Sequence, residues 1–225
     1  GKRGLTRETV RKNRIGIKQT HRGPAVIYPS ERLVDGHWQI TAYNRRFLDE
    51  VPVALRKKKP KTMLVKGGSW GIYRLRRIRG AKTLFVVEGE ENALSVWQVA
   101  RGQGWACDVV SVGCQDNFKS CRSDITTLAS EYQHLLVWAD EEAIANKAIS
   151  MYRHKSSLAI ESPKLAGAGA ALDANDLLTR YQLIEFVSYC CSHLSDDWHV
   201  KQNSQRKMAK ATGLAVVVPP NSHVH

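Results

Sequence analysis

Three groups of carboxylates stand where an α/β fold would put its chemistry. Glu88-Gly89-Glu90-Glu91 directly follows the apolar run Leu84-Phe85-Val86-Val87, and Asp140-Glu141-Glu142 directly follows Leu135-Leu136-Val137-Trp138-Ala139. Asp173, with Asp176, comes after a glycine-rich stretch at 166–171 that follows the short apolar segment Leu158-Ala159-Ile160. Continuous apolar runs of this kind read as strands buried on both faces. In an open parallel sheet, functional groups collect beyond the carboxyl ends of the strands, so neighbouring strands would bring the three clusters to one rim. Carboxylates gathered in this way repel one another and hold their protons more tightly unless a cation neutralises them. Hard oxygen donors without His or Cys favour Mg²⁺ or Mn²⁺ over zinc. Each cluster alone could equally be a set of helix N-terminal acids favoured by the helix dipole; three at successive strand ends argue for a shared cation.

The elements that would position these groups alternate. Ala93, Leu94, Val96, Trp97 and Ala100 recur at helical spacing after the first cluster, and Asp108–Val112 reads as the next strand, ended by Gly113. Helices are expected over 126–132, around 143–151 and from 174 to about 191. Strands alternating with helices mean right-handed βαβ crossovers and a mainly parallel sheet, with Trp97 and Trp138 in its core. Upstream the pattern differs. Thr6 can cap a short helix, and residues 24–48 read as a β-meander turned at Asp35-Gly36. The basic run 56–62 is broken by Pro60 and is expected to be a loop, either solvated or in contact with phosphate. Lys66-Gly67-Gly68-Ser69 could let backbone N–H groups approach phosphate. Residues 200–225 read as linker or tail.

Charge is divided along the same line. The 225 residues carry a net +13. Residues 1–80 hold 21 Lys and Arg against five Asp and Glu, a net of +16, whereas residues 81–225 hold 13 against 16, a net of −3. An excess confined to one half favours a polyanion partner, because each cation placed on a phosphate releases condensed counterions. No apolar run approaches the roughly 20 residues of a membrane helix, so no membrane association is expected. The start, Gly1-Lys2-Arg3, has neither an initiator Met nor an apolar signal region behind it, which suggests an excised fragment. The five Cys form no C-x-x-C pair and the eight His no metal-ligand spacing. Free thiols point to a reducing compartment and hence to the cytoplasm.

At the carboxylates the chain resembles a family. Val87-Glu88-Gly89-Glu90-x-x-Ala93-Leu94 is similar to the signature that opens Toprim domains in bacterial primases and phage helicase–primases, with Asn92 where the family has Asp. Asp140-x-Glu142 falls at the family's metal motif, where Glu142 replaces a second Asp, and Asp173-Ala174-Asn175-Asp176-Leu177-Leu178 resembles the element near the Toprim end, with Leu172 in place of a Lys. Gly4-Leu5-Thr6, Arg14-Ile15-Gly16-Ile17, Ile27-Tyr28-Pro29 and Trp70-Gly71-Ile72-Tyr73 resemble segments of the subdomain that precedes it. The likeness covers roughly residues 3–180.

This resemblance implies an α/β fold in which a Toprim lobe, a mainly parallel sheet flanked by helices, follows a smaller basic α+β lobe. The expected divisions are 1–79 for the basic subdomain, 80–180 for the Toprim domain and 181–225 for a C-terminal helix and tail. It implies Glu88 as the catalytic carboxylate, Asp140, Glu142 and Asp173 as metal ligands, and Mg²⁺ or Mn²⁺ as cofactor. Arg45, Arg46, Lys57, Lys58, Lys59 and Lys66 are the candidates for nucleic-acid or phosphate contact. The implied activity is template-directed RNA primer synthesis on single-stranded DNA from NTPs, in a phage, plasmid or other mobile replication protein, with a replicative helicase as possible partner. The alternatives are a Toprim lobe that has lost catalysis and only binds nucleic acid, and a Toprim nuclease.

Overall fold

The computed structural model describes residues 4–48, 62–65, 67–165, 172–180, 182–192 and 214–215. Among the described residues no helix is long and apolar enough to cross a membrane. Thr6 caps helix α1 (Arg7–Lys12), its hydroxyl accepting from the Thr9 backbone N–H at 3.1 Å. Four strands follow, β1 (Gly16–Thr20), β2 (Gly23–Val34), β3 (His37–Phe47) and β4 (Thr62–Leu64), in an antiparallel sheet of that order. The hairpin turns where the sequence reading puts it. Val34 pairs with His37, and Asp35 and Gly36 between them both have positive φ, 50° and 75°, the signature of a two-residue turn matched to strand twist. Both strands run longer than their apolar alternation suggested, across a bulge between Ser30 and Glu31. Strand β1 was not anticipated: its residues are almost all exposed, so it shows no apolar period.

The second sheet holds β5 (Tyr73–Arg74), β6 (Thr83–Val87), β7 (Cys107–Ser111), β8 (His134–Ala139) and β9 (Ser157–Glu161), in the order β5-β7-β6-β8-β9. All neighbours are parallel except β5, which runs against β7. Helix α2 (Glu90–Gln103) links β6 to β7, α3 (Asn117–Ser120) and α4 (Arg122–Ala129) link β7 to β8, and α5 (Glu142–Tyr152) links β8 to β9. Beyond β9 come β10 (Lys164–Leu165), α6 (Ala174–Thr179), α7 (Leu183–Ser192) and β11 (Leu214–Ala215).

Strand period two sorts the apolar runs into two cores. Phe85, Val87, Leu136 and Trp138 face α2, α6 and α7, with Trp97, Leu177 and Phe186 buried against them. Leu84, Val86, Leu135 and Val137 face the opposite layer, with Phe118, Ile125, Ala145 and Tyr152. The sheet is thus covered on both sides, which is why the centres of β6 and β8 are continuous apolar runs.

Three local expectations are corrected. The helix placed at 126–132 starts earlier and ends at Ala129, since Tyr132 turns back so that its hydroxyl donates to buried Asp108 at 2.6 Å. The helix placed from 174 to about 191 divides into α6 and α7. Six residues separate Leu177 from Leu183, which in one continuous helix would point them about 120° apart; the break lets both enter the same core. Within the stretch read as tail, Leu214–Ala215 pairs antiparallel with Lys164–Leu165.

The two sheets meet where the chain passes between them. Glu31 and Ile72 exchange backbone hydrogen bonds of 2.8 Å, and the Gly71 N–H donates to the Ser30 hydroxyl at 2.7 Å. A β-carbon on Gly71 would lie 2.1 Å from the Glu31 carbonyl oxygen. The bulge at Ser30/Glu31 and the glycine at 71 are therefore one joint. Gly71→Ala should destabilise the chain by about 1–3 kcal/mol, the usual cost of overpacking, because backbone rather than a flexible side chain must give way. Chemical denaturation checks this; an unchanged midpoint would mean that the joint is not tight.

Candidate active site at the carboxyl ends of the central strands

β6 is the middle strand of the second sheet, and its hydrogen-bond ladder with β8 runs on through the Glu88 N–H, which donates to the Trp138 carbonyl at 3.1 Å. Glu88 therefore stands beside Asp140, which follows the end of β8. Gly89, with φ 85°, turns the chain from strand to helix, a conformation that side-chain-bearing residues rarely adopt. This bend lets Glu88 sit at the rim while Glu90 and Glu91 open α2.

Glu88 is half-buried, and its Oε2 is enclosed without a hydrogen-bond partner among the described residues. Burial pushes its pKa up, and the charge of Asp140 adds to this; the backbone amides of Asp140 and Gln115 act in the opposite direction. Asp140 is also raised, first by desolvation and then by Asp173, Glu141 and Asp176, while a long hydrogen bond of 3.3 Å from the Ser162 hydroxyl opposes the shift. Asp173 is the N-cap of α6, its Oδ1 accepting the Asp176 N–H at 2.8 Å. The structure thus groups Glu88, Asp140 and Asp173 on one rim. Glu142 opens α5, where its carboxylate accepts a 3.3 Å hydrogen bond from Asn146 on the same helix.

The rim also contains groups that sequence reasoning missed. Loop 113–116 after β7 brings the Gln115 amide and the Asp116 charge to Glu88. Ser162, just beyond β9, accepts from the Trp138 indole N–H at 3.0 Å and faces Asp140. Both follow strand ends, the one signal that could have found them. Cys114 lies in the same loop, and burial pushes its thiol up.

Among the described residues no three His, Cys, Asp or Glu side chains form a ready-made cation site. The residues nevertheless fit a hard divalent cation in kind. Glu88 offers a buried oxygen unpartnered among the described residues, and the charge of Asp140 raises the cost of ionising Glu88, which a cation would relieve.

The basic candidates divide. Asn44 and Arg46 are two apart on β3 and share the face turned to α2. The Asn44 amide donates to Glu90, and Arg46 Nε pairs with Glu91 at 2.9 Å with both side chains largely buried. Arg45, between them, belongs to the other face, and its Nε is enclosed without a partner. Lys57, Lys58, Lys59 and Lys66 lie outside the described residues. Gly68 lies against β3, where a β-carbon would come within 2.4 Å of the Ala42 β-carbon. Trp38 is stacked under the Arg74 guanidinium, 4.4 Å from the ring centre.

No family model and no curated protein sequence matches the chain. Solved structures do, and they show that the chain shares its fold with primase fragments and domains. It is similar to the primase fragment of the bacteriophage T7 primase-helicase protein, with TM-score 0.57 and 16% identity, covering 83% of this chain and 70% of that one. A chain in the structure of T7 lagging-strand DNA polymerase interacting with primase domains of two gp4 subunits bound to an RNA/DNA hybrid and dTTP gives TM-score 0.56 and 18% identity, over 83% of this chain and 87% of that one. The RNA polymerase domain of Mycobacterium tuberculosis primase DnaG, in complex with a double-stranded DNA oligomer with an overhang, gives TM-score 0.43 and 13% identity, over 93% and 87%.

Glu90 supplies a test of how the rim is held. Its side chain is only 3% exposed, and burial pushes its pKa up despite the Asn44 hydrogen bond. The native state then holds a proton that the unfolded chain gives up near pH 4.5. Stability from this group is full below that value and is lost as pH rises through the native pKa. Glu90→Gln keeps the acceptor for Asn44 and removes the charge. It should raise Tm at neutral pH, and the gap should close as pH falls to about 4.5. A Gln variant less stable than the native chain at neutral pH would show that Glu90 is held as an anion.

Proposed function

We propose that this chain is a primase-type nucleotidyl-transfer core that extends an RNA primer on a single-stranded DNA template. The observation that carries the reading is Glu88: a half-buried carboxylate with an unpartnered oxygen, at the end of the central strand, next to Asp140, in a fold shared with the T7 primase fragment. Glu88, Asp140 and Asp173 would hold Mg²⁺ or Mn²⁺, with Glu142 at the edge of the site. A cation held there would neutralise charge on an incoming triphosphate and lower the pKa of the attacking hydroxyl. If the cation is instead held by Asp140 and Asp173, the burial-raised carboxyl of Glu88 would be free to accept the hydroxyl proton. Residues 1–79 would carry template and nucleotide phosphates, with Arg45 the basic candidate on the hairpin face turned away from α2, while residues 80–180 perform the chemistry. Arg46, engaged by Glu91, positions the hairpin instead.

A second reading, a nucleic-acid-binding module without catalysis, is favoured by the lack of a ready-made cation cluster among the described residues and by Asn92, Glu142 and Leu172. One of these departures has a packing account: Leu172 is buried in the core between sheet and helices.

The chain, incubated with single-stranded DNA, NTPs and Mg²⁺ or Mn²⁺, should make short RNA products resolved on a gel. Synthesis should be stronger with Mn²⁺, because Glu142 is one methylene longer than Asp and Mg²⁺ demands near-octahedral geometry. Asp140→Asn should abolish synthesis while leaving template binding intact, and Glu142→Asp should raise the Mg²⁺ rate. No product with either metal, from the native chain or Glu142→Asp, on templates that both bind, would leave the binding-module reading.

A further inference from the structure

Asn92 sits in the first turns of α2, and its side-chain amide is used at both ends. Its Nδ2 donates to the carbonyl of Glu88 at 3.1 Å, and its Oδ1 accepts the backbone N–H of Asn175 at 3.2 Å. Asn175 is the second residue of α6, so its N–H is one of the donors that a helix start leaves without an intrahelical partner. Asp173 caps the next such donor, the Asp176 N–H, from within the helix. Asn92 caps the Asn175 donor from another element. The joint is closed a second time by the Asn175 side chain, only 1% exposed, whose Nδ2 donates to the Ser95 hydroxyl at 2.9 Å.

We propose that Asn92 is a positioning residue that braces the Glu88 turn against the start of α6 and so fixes the separation of Glu88 and Asp173 across the rim. The brace needs an amide. A carboxylate at position 92 would accept from Asn175 but could not donate to the Glu88 carbonyl, and it would add negative charge to a rim whose carboxylates already raise one another. Asn92 thus serves as a neutral strut between two acids. This role rests on the reading of the rim as a cation site, and its test separates the two.

Amide hydrogen exchange reads the brace without any metal. In Asn92→Ala the Asn175 N–H loses the Asn92 acceptor and should exchange about tenfold faster, the weight of one hydrogen bond, while the core amide of Val86 keeps its native rate. Asn92→Asp retains an acceptor oxygen and should restore slow exchange at Asn175. Mn²⁺ affinity, followed by electron paramagnetic resonance of the free ion, reads the positioning. Loss of a group that orients ligands typically costs 10–100-fold, so Asn92→Ala should weaken Mn²⁺ binding by that factor. Ile125→Val, a core substitution in the opposite layer, should leave it unchanged. Native exchange at Asn175 in Asn92→Ala overturns the brace. Native Mn²⁺ affinity in Asn92→Ala overturns its positioning role. If the unsubstituted chain binds no Mn²⁺, the cation reading fails, the positioning role falls with it, and the exchange rates alone decide whether Asn92 is a brace.

Discussion

An enclosed carboxylate oxygen on Glu88, with no partner among the described residues, is the constraint around which the rest of the rim is arranged. Burying such an atom costs free energy unless something compensates it. Parallel pairing of β6 and β8 places Asp140 beside it, which makes the cost larger. Backbone amides from Asp140 and Gln115 offset part of it, and Ser162 does the same for Asp140. Under the proposed function, a bound cation would supply the compensation that these two acids at adjacent strand ends receive only in part.

The positive charge of the first 80 residues is spent in two ways. Five of its arginines are engaged internally. Arg14 and Arg74 converge on buried Glu31, Arg32 meets buried Asp124 at 3.1 Å, Arg46 meets Glu91, and Arg77 meets Asp108 at 3.2 Å. These pairs stitch the antiparallel sheet and the segment after it to the helices and edge of the parallel one, and an Asp or Glu buried in this way requires its cation. What remains for a polyanion is smaller than the net charge suggests. Alternation along β3 makes the distinction residue by residue: Asn44 and Arg46 face α2 and hold the lobes together, and Arg45 belongs to the other face.

Much of this was legible in the chain. Four short segments rich in apolar residues announced the parallel strands because a sheet covered on both sides buries both faces of each strand, and the Asp35-Gly36 pair announced the hairpin because few sequences turn in two residues. Carboxylates directly after Val87 and Ala139 marked the rim for the same topological reason. The illegible parts were those where local pattern carries no information. An exposed strand such as β1 has no apolar period. The break between α6 and α7 depends on which core Leu183 must reach. Arg45 and Arg46 look alike in sequence, and only strand register decides which one meets Glu91. Asn92 read as a departure from a pattern; its hydrogen bond to Asn175, 83 residues away, is set by the packing of α2 against α6 and leaves no local signal.

The central claim is that Glu88 and Asp140 share a divalent cation. A crystal of the chain soaked in Mn²⁺ tests it most directly through anomalous scattering. The account requires a peak at the ends of β6 and β8, in direct contact with carboxylate oxygens of both Glu88 and Asp140. A saturating soak that leaves Glu88 Oε2 unpartnered, with manganese only at surface sites elsewhere, would contradict it.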